Sequence, residues 1–205
     1  MIFMKKVKIC GITDERETEY LNEAAVDYMG MVMFFPKSKR NIPVEKAASI
    51  IKCLKKEIVS VAVTVCPNLE QIRAIENAGI QMIQIHGDIS DDVLNSIQIP
   101  VLKAFNVHDL SDYEKYHKAD IVKGYIFDAQ VPGSGKTFDW SVLDNLPRDE
   151  KFAFLAGGLN PENVAAALAA TQLDGADTSS GVENESGTGK DGAKILEFVR
   201  QVRGL

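Results

Sequence analysis

Cysteine is scarce in this sequence, with three thiols (Cys10, Cys53 and Cys66) across 205 residues. They are too few and too scattered for a disulfide framework or a zinc site, which leaves reduced thiols in a cytoplasmic protein. The three histidines have no ligand spacing, so no metal is expected. No apolar run approaches the roughly 20 residues that span a bilayer. The opening Met1-Ile-Phe-Met-Lys-Lys puts its charges after the apolar residues, which is not a signal-peptide order. Asn184-Glu185-Ser186 matches a glycosylation sequon, which has no consequence without secretion. There is no basic run, and 23 cationic against 29 acidic residues give a net charge of −6. Nucleic acid and anionic membranes are therefore excluded as partners, and any anionic ligand must be held by a local site.

What is present is alternation. Short apolar, β-branched runs recur at Val7–Cys10, Tyr28–Phe34, Val59–Val65, Met82–Ile85, Val101–Phe105, Gly124–Phe127, Phe152–Leu155 and Ala176–Thr178. A segment of helical period follows each run. Pro43 opens a helix that runs to about Lys56, and Asn68 caps one that Gly79 ends. Asn160-Pro161 reads as the start of an Ala-rich helix. Ser180-Gly-Val-Glu183 has capping-box spacing, and Asp191 opens the last helix. Eight strand-helix units in one chain of this length predict an α/β fold, a single-domain (β/α)8 barrel over residues 1–205. The rival, a doubly wound open sheet, usually has a glycine fingerprint after its first strand, and Cys10-Gly-Ile-Thr-Asp lacks it.

In such a barrel, chemistry sits where the strands end. Cys10 ends the first strand, and Lys8 shares its inward parity. A thiol beside an ammonium can have a lowered pKa and act as a base, although buried cysteine is also ordinary filler. Cys66 ends the third strand and competes for the role. Lys37, Lys39 and Arg40 follow strand 2, and Arg40 could meet a carboxylate with a bidentate fork. His86 follows strand 4 and reads as a hydrogen-bonded mouth residue. Asp128 follows strand 6, where burial would raise its pKa and suit it to general-acid work. The nearby Gly133-Ser-Gly-Lys-Thr is not a P-loop, because Gln130 stands where the first glycine is required. Ala156-Gly157-Gly158-Leu159 and Ser179-Ser180-Gly181 are both tight loops that run into helix starts. Bare amides and a helix dipole there make a phosphate seat. Together these residues describe acid/base chemistry on a phosphorylated small molecule with a second anionic end, with no cofactor fingerprint.

Several stretches carry a more specific signal. They are Lys8-Ile-Cys-Gly-Ile-Thr13, Pro36-Lys-Ser-Lys-Arg40, Gln84-Ile-His-Gly87, Phe127-Asp-Ala129, Gly133-Ser-Gly-Lys-Thr-Phe-Asp-Trp140, Gly157-Gly-Leu-Asn-Pro-Glu-Asn-Val164, Asp177-Thr-Ser-Ser-Gly-Val-Glu183 and Lys190-Asp191. In this order, across nearly the whole chain, the sequence resembles the phosphoribosylanthranilate isomerase family of tryptophan biosynthesis. The resemblance implies Cys10 as general base, Asp128 as general acid and Arg40 on the anthranilate carboxylate. It implies phosphate binding by the backbone around Gly133, Ser134, Gly135, Gly157, Gly158, Ser180 and Gly181. The implied reaction is an Amadori rearrangement without cofactor or metal, in a monomer or homodimer.

The sequence departs from the family pattern at Pro132, at Thr178 in place of a usual valine, and at Thr64 and Cys66. Strand 2 is one residue longer than the family pattern before Pro36, which bears on the register of Arg40. The competing readings are an indole-glycerol-phosphate synthase or a histidine-pathway sugar isomerase, and a non-catalytic barrel that only binds a phosphorylated ligand. The first two use other acid/base pairs, and the last predicts a broken one.

Overall fold

A computed structural model describes residues 4–128, 139–140 and 150–205. Gly133, Ser134 and Gly135 lie outside the described residues. Eight strands pair in parallel and in chain order around a closed barrel. They are β1 (Lys6–Cys10), β2 (Tyr28–Val32), β3 (Val59–Val65), β4 (Met82–His86), β5 (Val101–Asn106), β6 (Val122–Asp128), β7 (Phe152–Leu155) and β8 (Gly175–Thr178). The described helices are α1 (Glu17–Ala24), α2 (Val44–Ile51), α3 (Leu69–Asn77), α4 (Asp91–Ser96), α5 (Tyr113–His117), α6 (Val164–Thr171) and α7 (Gly192–Arg203).

Alternate strand residues point inward, and most of those inside are hydrocarbon. Val61, Val63, Met82, Leu102, Ala104, Ile126, Phe154 and Ala156 form the interior cluster. Three aromatic rings close its lower part: Tyr28 and Phe152 meet edge-on against Phe154, at centroid distances of 5.3 and 5.6 Å. Gly124 leaves room for them, since a methyl group there would stand 2.7 Å from the Phe152 ring. The outward strand residues pack under the helices in a second, larger core. Each fully buried aliphatic side chain in it contributes about 1.5–3 kcal/mol.

Several local expectations hold in detail. Asn68 and Gln71 form a reciprocal capping box at α3, and the Asp191 carboxylate accepts from the Ala193 and Lys194 amides. Others shift. α2 ends at Ile51, and β2 stops at Val32, short of the expected Phe34, which adopts a left-handed φ of 58°. Asn160 caps a turn instead of a helix, accepting from the Glu162 and Asn163 amides, so α6 begins at Val164. Ser180–Val182 forms a single 3-10 turn without a side-chain cap, because Glu183 is engaged elsewhere.

Candidate active site

The strands' C-terminal ends enclose a cavity of about 400 Å³. Cys10, Arg40, His86, Asp128, Gly157, Gly158 and Ser180 all contribute to its wall, so residues from six separate strand ends converge there. Gly181 does not line it, and Cys66 and Lys37 are also absent from the wall. Lys39 turns away, donating to Glu183 and to the Gly187 carbonyl.

Cys10 stands opposite Gly30 in the β1–β2 ladder. Beneath it Lys8 is fully buried, with Nζ 2.8 Å from Asp177 Oδ2 on β8. The inward parity expected of Lys8 is thus realised, but the expected electrostatic outcome is not. Burial pushes the Cys10 thiol above its ordinary range, and this outweighs the downward pull of Lys8, while Asp177 adds a further upward push. The ammonium itself would be lowered by burial, yet Asp177 and the thiol together hold it above its ordinary value. The Cys10 carbonyl is fixed by the Ser179 hydroxyl at 2.9 Å, and Lys190 Nζ in turn donates to the Ser179 carbonyl at 2.9 Å. Burial and the Arg40 charge bring Lys190 down to about 8.

Arg40 lies over Gly11, in a space that any larger residue there would fill. Its Nε donates to Glu183 Oε1 at 2.6 Å, and Nη2 pairs with the same oxygen. The guanidinium is therefore held from the rear. His86 is neutral at ordinary pH: burial, then the Lys103 and Lys8 charges, bring it down to about 4. Its Nε2 lies 2.9 Å from Gln84 Nε2. The Gln84 amide therefore donates, and the proton of the neutral ring sits on Nδ1.

Loops 7 and 8 meet at the far side. The Thr178 hydroxyl donates to the Leu159 carbonyl at 2.6 Å, and a methyl group at Gly181 would collide with that same carbonyl. Gly181 thus lets the two loops touch. Gly157 and Gly158 have φ of 91° and 66°, which turns the chain where a side chain would be strained. The amides of Gly157, Gly158, Ser180 and Gly181 have no acceptor among the described residues.

Three participants were not singled out for a role from the sequence: Gln84, Asp177 and Glu183. Inward parity with His86 would have found Gln84, and a strand-end position marks Asp177. Both carry a buried acceptor, Gln84 Oε1 and Asp177 Oδ1, with no partner among the described residues.

A closed (β/α)8 barrel with a thiol, a carboxyl and a bare-amide loop pair around one cavity at the strands' C-terminal ends has the architecture of a barrel enzyme. Residues 7–201 match the family model of N-(5'-phosphoribosyl)anthranilate isomerase. An N-(5'-phosphoribosyl)anthranilate isomerase of Streptococcus pneumoniae (strain Hungary19A-6) is 37% identical over 201 residues, covering 98% of this chain and 96% of that protein. The crystal structure of the Thermotoga maritima phosphoribosyl anthranilate isomerase is 33% identical and covers 98% and 100% of the two chains, with a TM-score of 0.84. That enzyme is also described as dimeric, in a structure of derived monomers. A phosphoribosyl anthranilate isomerase bound to reduced 1-(o-carboxyphenylamino)-1-deoxyribulose 5-phosphate is 32% identical, covers 98% and 100%, and has a TM-score of 0.81. The chain belongs to the N-(5'-phosphoribosyl)anthranilate isomerase family.

Proposed function

We propose that this chain converts N-(5'-phosphoribosyl)anthranilate to 1-(2-carboxyphenylamino)-1-deoxyribulose 5-phosphate, a step of tryptophan biosynthesis. The observation that carries the reading is that Cys10 and Asp128 share one cavity with the amide-lined loops 7 and 8. Asp128 protonates the ring oxygen of the ribose, the C1'–O bond breaks, and the nitrogen lone pair forms the Schiff base. Cys10, as thiolate, then removes the C2' proton, and the electron pair moves toward nitrogen to give an enolamine. Tautomerisation to the ketone completes an isomerisation that consumes no other reagent. Each proton transfer is helped about 10²–10⁴-fold by a positioned group.

Binding follows from the same wall. The phosphate takes the amides of Gly157, Gly158 and Ser180, joined by Gly133, Ser134 and Gly135, and Gly181 keeps loops 7 and 8 together behind that wall. Arg40 meets the anthranilate carboxylate with the face of its guanidinium not held by Glu183. Gln84 Oε1 and Asp177 Oδ1 are acceptors matched to the sugar's hydroxyl donors. The setting is cytoplasmic and the assembly a monomer or homodimer.

The test is turnover of substrate made in place from anthranilate and phosphoribosyl pyrophosphate, followed by loss of fluorescence. Cys10→Ala and Asp128→Asn should each lower kcat at least a hundredfold, with little change in KM. Full activity in either variant would remove that residue from its role.

A further inference from the structure

We propose that Lys8 is a positioning residue whose ammonium governs the charge state of the Cys10 thiol, with Asp177 holding its place as counter-ion until the thiolate forms. The inference rests on the reading of Cys10 as base, and it supplies what that reading lacks, namely a source of thiolate in a buried site.

Three observations converge. First, the thiol and the ammonium share one gap, the space left by the absent side chain of Gly30. A methyl group there would stand 3.0 Å from Cys10 Sγ and 3.2 Å from Lys8 Nζ. Second, Lys8 is fully buried in a barrel packed mostly with hydrocarbon, and its salt bridge among the described residues is to Asp177 at 2.8 Å. A buried ion pair is a poor source of stability, because apolar residues of similar volume serve as well or better. This pair therefore calls for a reason other than holding the barrel together, and its position directly under the thiol provides one. Third, Asp177 is not enclosed by the pair: it reaches the cavity wall, and its second oxygen has no partner among the described residues.

Among the described residues, three charged groups act most strongly on Cys10. Lys8 acts from its own strand, Asp177 from β8 and Lys190 from the loop before α7. Across the cavity stand Arg40 on the β2 loop, His86 on β4 and Asp128 on β6. The neighbouring inward residues Val32 and Val63 carry none. One buried ammonium is balanced by one anion. Burial pushes the Asp177 carboxyl above its ordinary range while Lys8 pulls it down, and burial also raises the Cys10 thiol, so the two acids compete to be that one anion, with Asp177 the intrinsically stronger. When Asp177 takes up a proton on its second oxygen, the thiolate becomes the better partner for Lys8.

The two residues should therefore act on the thiol with opposite sign, which a purely structural pair would not do. The experiment measures the rate of iodoacetamide modification of Cys10 against pH in the intact protein. Peptide mass mapping separates Cys10 from Cys53 and Cys66, which are exposed. Lys8→Met should slow Cys10 modification at pH 8 at least tenfold and move its midpoint up by a pH unit or more. Asp177→Asn should speed modification and move the midpoint down. If Lys8→Met does not fold, Lys8→Met combined with Asp177→Leu replaces the pair with hydrocarbon, and it should show the same slow thiol. Unchanged midpoints, or midpoints that move in the same direction in folded Lys8 and Asp177 variants, would overturn the proposal. Since alkylation needs no turnover, a Cys10→Ala enzyme that remained active would remove the base assignment without touching this measurement.

Discussion

Gly30 faces Cys10 across the first ladder of the barrel, and the distance from the glycine's missing methyl position to Cys10 Sγ is 3.0 Å. The same position is 3.2 Å from the Cys10 Cα, which is backbone and cannot swing aside. Gly30→Ala should therefore displace the sulfur or spread β1 from β2. Overpacking of this kind costs about 1–3 kcal/mol. A shift of a fraction of an ångström at the base should lower kcat about tenfold to a hundredfold, with a smaller effect on KM. Steady-state kinetics and a urea titration on the same variant check both parts, and a wild-type kcat would mean that the thiol tolerates displacement.

Glu183 grips Arg40 through a single carboxylate oxygen, and Lys39 donates to the other oxygen at 3.3 Å. The carboxylate fixes the guanidinium plane with its remaining N–H groups free to face the cavity. Glu183→Gln should loosen that plane and raise KM for the anionic substrate about tenfold, with kcat less affected. The effect runs through Arg40, so it should vanish in an Arg40→Ala background, where KM is already high. A double-mutant cycle reads this directly. Additive effects on KM would show that Glu183 acts by another route.

Loops 7 and 8 are joined by the bond from the Thr178 hydroxyl to the Leu159 carbonyl. Thr178→Val keeps the shape but leaves that buried carbonyl without its donor, at a cost of about 1–3 kcal/mol. Gly181→Ala is more severe for binding, because its methyl group would force the Leu159 carbonyl away and separate the loops. It should raise KM at least about tenfold, the loss of one good phosphate contact. It should also weaken inorganic phosphate as a competitive inhibitor in proportion. Unchanged inhibition by phosphate in a folded Gly181→Ala protein would move the phosphate seat elsewhere.

The strands are readable because short β-branched apolar runs recur at intervals of one strand-helix unit, and inward parity puts Lys8 in the same file as Cys10. What stayed hidden was pairing across the closure of the barrel. Lys8 and Asp177 are 169 residues apart and meet only because β1 pairs with β8. Glu183 has capping-box spacing from Ser180, but Arg40 offers its carboxylate a charged partner, and the stronger interaction wins. The early end of β2 is hidden for another reason: Phe34 takes a left-handed turn, which local propensity disfavours in a non-glycine residue. The thiol's pKa is illegible for a similar reason: proximity to a lysine is visible in the strand period, while the depth of burial that outweighs it is not.

His86 gives the fold a pH dependence whose sign can be worked out. Its folded value is about 4, against an ordinary 6.5 in the unfolded chain. Between those values the unfolded chain binds a proton that the folded protein refuses, so stability rises with pH across this window and is lost as pH falls from 6.5 toward 4. From pH 6.5 to pH 5 this group alone should remove about 2 kcal/mol. The Glu183 carboxyl adds to the trend lower down: burial would raise it, but Arg40 holds it below its ordinary range, so its contribution is present above pH 4.5 and disappears as the pH falls through its folded value. His86→Asn keeps a polar side chain on the cavity wall and removes the titration. Urea midpoints measured at pH 7 and pH 5 should therefore lie closer together in His86→Asn than in the wild type. If the gap between the two midpoints is the same in both proteins, His86 is not held neutral by its site, and the tautomer assigned to it from the Gln84 contact falls as well.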